Sequence, residues 1–319
     1  MRILGTGSAL PKKIVSNDDL AQVMDTSDEW IRTRTGIVNR HIAVEETTTS
    51  LSVEAAKNAL AAAHVSASEI DLIIAATVSP DYIFPTLSCE VQAALQATEA
   101  TAFDIGAGCS GFLFAMGTAD GYFRTGRYKK ALIIGAETLS KMMDWSDRST
   151  CVLFGDGAGA AVLSAEGDQL KAMTQGSDGA GGMALKCDNR PVNNLYRQLG
   201  AKTYSFTEMD GPAVYKFAVR TVPAAISRVL EQSGTPADDV KLFVLHQANR
   251  RIIEAVAKRL GQPMEKFPMN MQECGNISAA SVPILLNQII AENRIMPGDK
   301  VVLAGFGAGL TWGACVLEW

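Results

Sequence analysis

A repeat of strand-like segments constrains the fold more than any other feature of the sequence. A shift of 170 residues maps the apolar run IDLIIAAT, which begins at residue 70, onto VKLFVLHQ, which begins at residue 240. The same shift maps KKALIIGAE at residue 129 onto DKVVLAGFG at residue 299. Two matches at one shift indicate a chain built from two similar halves.

A third pair of strand-like runs has a shorter separation. GAGAAVL and TWGACVL lie 154 residues apart, 16 fewer than 170, so the second half lacks a segment that the first half contains. This extra segment corresponds to SKMMDWSDRSTCVLF, which we interpret as a loop insertion. We place the two halves at residues 1–165 and 166–319.

Helical patterns such as SLSVEAAKNALAAA and NRRIIEAVAKRLG lie between the strand-like runs. Strands that alternate with amphipathic helices indicate α/β halves with largely parallel sheets. Strands that are apolar throughout, such as LIIAATV, indicate sheets that are covered on both faces. We therefore expect the halves to pack through their helix layers, with the functional site where strand ends of both halves meet.

Composition argues against several classes of protein. No run approaches the 18 apolar residues of a membrane span, and the start of the chain does not resemble a signal peptide, which predicts a cytoplasmic protein without membrane contact. The formal net charge of −5 disfavours nucleic-acid binding. None of the six cysteines forms a CxxC pair or clusters with histidine, which argues against a disulfide framework and a zinc site.

One cysteine stands where a strand-like run meets a helix-like run. Cys109 follows TAFDIGA and precedes SGFLFAMGTADGYF, with the small residues Gly108, Ser110 and Gly111 around it. A thiol at a helix N-terminus meets unpaired N–H groups and the positive end of the helix dipole, which lower its pKa and stabilise a nearby oxyanion. Cys109 is therefore a candidate nucleophile, whereas the other five are expected to be buried thiols.

Two residues of the second half are candidates to act with Cys109. His246 ends VKLFVLH, so a parallel strand would deliver it to the carboxyl edge of its sheet. Asn276 lies in the small-residue loop ECGNISAAS, 167 residues after Cys109 and so close to the equivalent place in the repeat. An asparagine before a helix is usually a cap or a turn residue, and the duplication argues for a further role.

The motifs GCSGF, HQANRRI, GNISAAS and GFGAGLTWG, in this order, resemble the condensing enzymes of the thiolase superfamily, and most closely the β-ketoacyl-acyl carrier protein synthase III family. The resemblance implies five αβαβα layers, with Cys109 as the nucleophile that an acyl-CoA acylates. It implies that His246 and Asn276 bind the thioester carbonyl of malonyl-acyl carrier protein, where two neutral donors stabilise the enolate left by loss of CO₂. The implied reaction initiates fatty acid synthesis and needs no cofactor.

Further site residues follow from the same resemblance. It implies that the backbone of Gly307 and Ala308 completes an oxyanion hole with the N–H of Cys109. Many relatives have glycine where Ala308 stands, so its methyl group is expected to matter only if φ is positive there. Phe84, in SPDYIFPT, resembles the residue that closes the acyl pocket of a partner subunit, which implies a homodimer.

The segment TSDEWIRTRTGI resembles the family's coenzyme A signature, although alone it is an ordinary capped helix. The resemblance implies that Trp30 and Arg148 hold the adenine, with Arg34 near the phosphates. Asn249 and Gly211 resemble residues that line the pantetheine channel. The family usually has a polar or charged pair after that glycine, where this chain has Pro212 and Ala213.

A basic stripe is predicted on the helix that follows HQAN. Arg251, Lys258 and Arg259 are spaced i, i+7 and i+8, so they share one face, which fits an acidic carrier protein. Taken alone, the stripe is more simply a solvated face with a Glu254–Lys258 pair.

The sequence is also compatible with three other functions. A specialised relative with the same Cys-His-Asn triad could make a polyketide or a quinolone-type product. The chain could also be a cysteine hydrolase or a non-catalytic binding protein. The starter's chain length and branching cannot be derived from the sequence, because pocket volume depends on packing.

Overall fold

The computed structural model describes residues 1–197 and 205–319. Within these ranges the strands are β1 Arg2–Ala9, β2 Lys13–Ser16, β3 Asn39–Ile42, β4 Leu72–Ala76, β5 Thr101–Ile105, β6 Lys130–Thr138, β7 Asp156–Ser164, β8 Leu170–Ser177, β9 Leu185–Lys186, β10 Glu208–Met209, β11 Val240–Leu245, β12 Lys300–Gly307 and β13 Thr311–Glu318. The helices are α1 Asn17–Ala21, α2 Asp28–Thr35, α3 Thr48–Ala63, α4 Leu87–Leu95, α5 Gly111–Arg124, α6 Gly211–Ser233, α7 Arg250–Leu260, α8 Met271–Cys274 and α9 Ser281–Ala291.

The second of the two larger sheets repeats four of the five strand positions of the first. The first has the order β1-β7-β6-β4-β5, with β4, β5 and β6 parallel and β7 and β1 antiparallel to their neighbours. The second has the order β11-β12-β13-β8, with β11 and β12 parallel and β13 and β8 antiparallel. The strands that the 170-residue shift relates, β4 with β11 and β6 with β12, therefore occupy equivalent positions. The boundary between the halves at residue 165 stays a prediction, and the chain changes sheets between β7 and β8.

Helices form three layers around these sheets. Helices α3 and α4 pack on the outer face of the first sheet, and α6 with α7 covers the outer face of the second. Helices α5 and α9 lie between the sheets and contact strands of both. Strands β4 and β7 are buried along their whole length, as covered faces require. The predicted αβαβα architecture is confirmed.

The connection between the last two strands differs between the halves. Residues 139–155 join β6 to β7, whereas residues 308–310 join β12 to β13. The longer connection contains the segment that the sequence analysis interpreted as an insertion, and it carries Arg148. In the described ranges, no helix is both long and apolar enough to cross a membrane.

Candidate active site

Cys109 lies in a tight turn at the start of α5. Residues Gly108–Ser110 form a short 3-10 turn that leads directly into the helix, and Gly108 has a φ of 52°. A Cβ atom at Gly108 would lie 2.6 Å from the backbone nitrogen of Ala308, so both the conformation and the space require glycine. The turn buries Cys109 to 8% exposure at the boundary between the two halves.

The end of β12 packs against the backbone of this cysteine. A Cβ atom at Gly307 would lie 2.2 Å from the nitrogen of Cys109, so a larger residue would push the two segments apart. The hydroxyls of Ser110 and Thr311 lie 2.7 Å from each other and 2.8 and 2.7 Å, respectively, from the carbonyl oxygen of Ala107. These contacts hold the β12–β13 turn against the cysteine turn.

Ala308 is tolerated because its backbone stays outside the left-handed region. The positive φ values of this turn fall on Gly309, at 76°, and Leu310, at 45°. The alanine methyl group faces Gly108, which has no side chain to oppose it. With alanine instead of glycine at position 308, the backbone of this residue still lies close to Cys109 without strain. The role of the Ala308 N–H in an oxyanion hole stays a prediction.

His246 follows β11 and enters the site as a buried, neutral ring. Its backbone N–H donates to the carbonyl oxygen of Ala304 at 2.8 Å, and its ring packs edge-to-face on Phe306, with the centroids 5.3 Å apart. Among the described residues, Nδ1 has no hydrogen-bond partner. Burial lowers the pKa of His246 to about 3, so the ring is a neutral hydrogen-bond donor at neutral pH.

Asn276 is fixed by backbone hydrogen bonds on both sides. Its N–H donates to the carbonyl oxygen of Leu153 at 2.9 Å, and its own carbonyl oxygen accepts from the N–H of Gly155 at 3.0 Å. The side-chain Oδ1 accepts from the N–H of Ser278 at 2.9 Å. Because the oxygen is engaged in this way, the amide presents its NH₂ group as the available donor.

These three residues line one cavity, which we call the triad cavity. It has a volume of about 120 Å³, and Gly211, Asn249 and Gly307 also line it. Cys109 comes from the start of α5, His246 from the end of β11, and Asn276 from the loop before α9. The predicted convergence of both halves on one site therefore occurs, although the roles of the residues stay predictions.

A second cavity, the apolar cavity, meets the first at Cys109. It has a volume of about 320 Å³ and is lined mainly by Leu139, Met142, Met143, Phe154 and Leu185, with Cys187 and Ser278. Apart from Gly108, Cys109 and Ala308, its lining residues were not predicted from the sequence. Only the strand and helix packing brings these segments, which are distant in the sequence, around the thiol.

The pKa of Cys109 differs from the sequence-based expectation. The pKa of the thiol is raised to about 12, chiefly by burial; the Ser278 hydroxyl lowers it and the charge of Glu137 raises it, each by less than burial does. The prediction of a lowered pKa at a helix N-terminus is therefore wrong, because desolvation outweighs the local helix field. The other cysteines are buried as expected except Cys89 and Cys187, which are partly exposed.

The three residues predicted to bind the nucleotide of coenzyme A lie together on the surface. The guanidinium carbons of Arg34 and Arg148 lie 4.7 and 5.3 Å from the ring centroid of Trp30. Arg148 also contacts the exposed Asp25. For a base to stack between them, the indole ring of Trp30 and the guanidinium of Arg148 must be about 7 Å apart, which is twice the distance of a van der Waals contact. Arg148 must therefore move outward before adenine can bind between them.

The departure at Pro212 and Ala213 has a local structural explanation. Gly211 begins α6, and Pro212 occupies the first turn of the helix, where a missing N–H is tolerated. The side chain of Asp210 caps the helix by accepting from the N–H of Ala213 at 3.0 Å. The two residues therefore start the helix next to the triad cavity, and Gly211 lines that cavity.

Asn249 joins α7 to α2. Its Oδ1 accepts from the N–H of Arg251 at 2.8 Å as the cap of α7, and its Nδ2 donates to the carbonyl oxygen of Arg34 at 3.1 Å. The guanidinium of Arg251 donates to the carbonyl oxygen of Thr33 at 3.0 Å. Asn249 thus lines the triad cavity and also fixes the helix that carries the predicted basic stripe.

The predicted partner surfaces are exposed. Arg251, Lys258 and Arg259 are exposed on the solvent side of α7. Glu254 forms its ion pair with Arg250, at 2.8 Å, and not with Lys258 as the alternative interpretation of this helix expected. Phe84 is 82% exposed beside two other exposed apolar side chains, Tyr82 and Ile83. It lines neither cavity of its own chain.

No group of three or more His, Cys, Asp or Glu residues in the described ranges is arranged to hold a metal ion.

Comparison with known proteins agrees with this architecture. Residues 103–179 match the model of 3-oxoacyl-[acyl-carrier-protein] synthase III, and residues 230–319 match the model of its C-terminal part. The β-ketoacyl-[acyl-carrier-protein] synthase III of Clostridium acetobutylicum is 45% identical, over 100% of this chain and 98% of the relative.

Two solved structures extend the comparison. The 3-oxoacyl-[acyl-carrier-protein] synthase III of Aquifex aeolicus superposes with a TM-score of 0.93 at 45% identity, covering 100% of this chain and 99% of the other. The priming β-ketosynthase of the R1128 polyketide biosynthetic pathway superposes with a TM-score of 0.92 at 34% identity, covering 99% and 95%. The names 3-oxoacyl and β-ketoacyl denote the same group, and this chain belongs to the β-ketoacyl-[acyl-carrier-protein] synthase III family.

Proposed function

We propose that this chain is an acyltransferase that condenses an acyl-CoA starter with malonyl-acyl carrier protein, with loss of CO₂, and so initiates fatty acid synthesis. The observation that carries the proposal is the meeting of Cys109, His246 and Asn276 in one buried cavity. A nucleophile and two neutral donors are the groups that acyl transfer and enolate formation require.

The proposed reaction has two stages. Cys109 first attacks the thioester of acyl-CoA, coenzyme A leaves, and the acyl chain occupies the apolar cavity. The malonyl group then enters the triad cavity and loses CO₂, and the enolate is stabilised by hydrogen bonds from His246 and Asn276. The enolate carbon attacks the acyl-cysteine, and the N–H groups of Cys109 and Ala308 stabilise the resulting oxyanion. The bonds that form and break need no cofactor, and coenzyme A is a substrate.

The specialised condensing enzyme stays the second candidate. Its support is the likeness to the R1128 priming β-ketosynthase, whose identity of 34% is lower than the 45% shared with the Clostridium enzyme. A hydrolase would need water at the acyl-cysteine, and the apolar lining of the larger cavity disfavours water there. The higher identity favours the primary fatty acid pathway over the specialised one, and the apolar lining disfavours the hydrolase.

Mass spectrometry of the protein after exposure to a panel of acyl-CoAs tests the proposal. We expect a stable mass increment on Cys109 with at least one starter, since the apolar cavity of about 320 Å³ can shelter an aliphatic chain. Peptide mapping locates the increment, and the mass identifies the acyl group. Rapid loss of the acyl group in the absence of malonyl-acyl carrier protein would indicate a hydrolase, and absence of any acylation would contradict the function.

Two binding roles belong to the same proposal. Trp30, Arg34 and Arg148 would hold the nucleotide of acyl-CoA near the mouth of the triad cavity, once Arg148 moves away from the indole ring. Phe84 would close the apolar cavity of a second copy, and the exposed Tyr82, Ile83 and Phe84 support a homodimer because this apolar surface is otherwise in water. The cytoplasmic location stays a prediction.

The basic stripe on α7 is proposed to dock the acyl carrier protein. Arg251→Glu is expected to reduce turnover with malonyl-acyl carrier protein much more than starter transfer from acyl-CoA to Cys109, because steering acts on the charged protein partner. The effect should weaken as salt is added. Initial rates of both half-reactions at several salt concentrations provide the measurement.

Arg228, on the neighbouring helix α6, provides a matched control for the charge reversal at Arg251. Arg228 is also exposed, and Arg228→Glu makes the same change of charge away from Asn249 and the triad cavity. We expect this variant to retain the turnover and the salt dependence of the parent. Equal slowing of both half-reactions by Arg251→Glu, or equal effects of the two reversals, would refute docking at α7.

A further inference from the structure

Arg40 is a fully buried arginine without an assigned role. It lies in β3 with 0% exposure, and its hydrogen-bond partners are one amide oxygen and three backbone carbonyl oxygens. Burial lowers the pKa of the guanidinium to about 10, so the group is still charged at neutral pH. A buried charge costs free energy unless it is hydrogen-bonded, so the partners of this side chain indicate why it is kept.

The guanidinium joins two distant parts of the chain. Nη2 donates to the carbonyl oxygen of Val152 and to Oδ1 of Asn17, both at 2.8 Å. Nη1 donates to the carbonyl oxygens of Val15 at 3.2 Å and Val38 at 3.5 Å. Because the guanidinium is planar and its N–H groups have fixed directions, it sets the position of Val152 relative to the small sheet of β2 and β3.

The stretch that begins at Val152 pairs with the segment that carries Asn276. The backbone N–H of Asn276 donates to the carbonyl oxygen of Leu153 at 2.9 Å, and the N–H of Gly155 donates to the carbonyl oxygen of Asn276 at 3.0 Å. The two bonds make a short parallel bridge between Phe154 and Asn276. The backbone of Asn276 is therefore anchored to the stretch that the guanidinium holds.

The aliphatic part of Arg40 packs on the same two segments. A Cβ atom at Gly155 would lie 3.4 Å from the Cβ of Arg40, and a Cβ atom at Gly275 would lie 3.3 Å from it. Gly275 has a φ of 66° and directly precedes Asn276. One side chain thus contacts both segments of the bridge, through its stem and through its charged end.

The side-chain amide of Asn276 depends on this anchor for its direction. Its Oδ1 accepts from the N–H of Ser278 at 2.9 Å, which leaves the NH₂ group as the available donor. The NH₂ group therefore points where the backbone of residues 276–278 directs it. That backbone is in turn fixed by the bridge to residues 153–155.

We propose that Arg40 is a positioning residue that directs the side-chain amide of Asn276 at the enolate. This inference rests on the proposed function, because it assumes that Asn276 stabilises the enolate formed by decarboxylation. Arg40 lines neither cavity, so it acts through the carbonyl oxygen of Val152 and the backbone bridge to Asn276. Cys109 and His246 stand on α5 and β11, outside this bridge.

Decarboxylation of malonyl-acyl carrier protein by Arg40→Lys tests the proposal. Lysine keeps the positive charge but lacks the planar set of N–H donors that joins Val152 to β2 and β3. We expect decarboxylation to slow at least about tenfold, since a small misplacement of a group in a site can cost about a hundredfold. Starter transfer from acyl-CoA to Cys109 should fall much less, because the amide of Asn276 acts only in the second half-reaction.

Double variants distinguish positioning from a general loss of structure. In the Asn276→Ala background, Arg40→Lys should slow decarboxylation no further, because the amide that it directs is absent. In the His246→Ala background, the same substitution should keep its full effect, since that amide is still present. Effects of equal size in both backgrounds, or no effect of Arg40→Lys in the parent, would overturn the positioning role.

Hydrogen exchange measured by mass spectrometry provides a readout that needs no activity. The N–H groups of Gly155 and Asn276 donate across the bridge, so peptides that contain them should exchange faster in Arg40→Lys. Peptides from β4 and β6 should exchange as in the parent. Unchanged exchange at Gly155 and Asn276 would contradict the role of Arg40. Faster exchange throughout the chain would indicate a general structural role and would also overturn the proposal.

Two further variants complete the experiment. Asn17→Ala removes one of the two acceptors of Nη2 and leaves Arg40 in place, so its effect on decarboxylation should be smaller and should vanish when Asn276 is replaced by alanine. If Arg40→Lys did not fold, an Asn17→Ala effect that was absent, or that persisted in the Asn276→Ala background, would overturn the proposal. Gln92→Ala is the matched control, because it removes a side-chain hydrogen bond to the carbonyl oxygen of Ala100 outside both cavities. We expect it to lose some stability and to keep both half-reactions.

The outcomes separate the positioning role from the proposed function. If the parent released CO₂ from malonyl-acyl carrier protein and Arg40→Lys matched its rate, the positioning role alone would fail. If the parent released no CO₂ and took no acyl group from any starter, the proposed function would fail whatever the exchange rates of Arg40→Lys. A fall of both half-reactions by the same factor in Arg40→Lys, with a lowered melting temperature, would also overturn the positioning role.

Discussion

Replacement of Cys109 by alanine is expected to abolish condensation while leaving slow decarboxylation of malonyl thioester. The acyl-enzyme cannot form without the thiol, so formation of the 3-oxoacyl product should fall at least about 10⁴-fold, as when other enzymes lose a covalent nucleophile. His246 and Asn276 remain, and their hydrogen bonds to the enolate do not depend on sulfur. Product formation and CO₂ release, measured on the same preparation, report the two activities.

Cys315→Ala provides a matched control for this experiment. Cys315 is fully buried in β13 and its sulfur lies 3.9 Å from the sulfur of Met116, so its loss removes a thiol outside both cavities. We expect this variant to lose some stability and to keep both activities. If folded Cys109→Ala lost decarboxylation as completely as condensation, the proposed division of labour between the thiol and the two donors would be wrong.

The layered fold and the triad could be predicted because both depend on local signals that recur. The apolar strand runs and their 170-residue shift indicate two equivalent sheets, and the structure places β4 with β11 and β6 with β12 in matching positions. Cys109, His246 and Asn276 each stand at the end of a strand or the start of a helix in these repeats. Strand ends of two halves that pack face to face meet in space, so the sequence could indicate their convergence.

The protonation state of the site could not be predicted in the same way. The helix N-terminus beside Cys109 is visible in the sequence, but desolvation depends on segments from the whole chain that close over the thiol. Glu137 reads in the sequence as the polar end of an apolar strand, and Ser278 as one small residue among several. Cavity volume and the stacking of Trp30 with its two arginines likewise arise from packing.

His246→Ala and Asn276→Ala are each expected to slow decarboxylation about a hundredfold, which corresponds to a loss of about 3 kcal/mol from one hydrogen bond to the enolate. Starter transfer to Cys109 should fall less, because the enolate forms only in the second half-reaction. Release of CO₂ from malonyl-acyl carrier protein and acylation of Cys109 by acyl-CoA provide the two rates. A variant that decarboxylated at the parent rate would contradict the role of that residue.

The neutrality of His246 gives this prediction a second measurable consequence. Because burial lowers its pKa to about 3, the ring does not titrate between about pH 5 and 8, and its removal should lower the decarboxylation rate by the same factor across that range. His246→Gln keeps a neutral N–H donor and should recover part of the rate. Asn276→Asp keeps the size of the side chain but replaces the donor by a negative charge facing the enolate, so it should be slower than Asn276→Ala. Equal rates for the alanine and aspartate variants would show that hydrogen-bond donation by Asn276 does not stabilise the enolate.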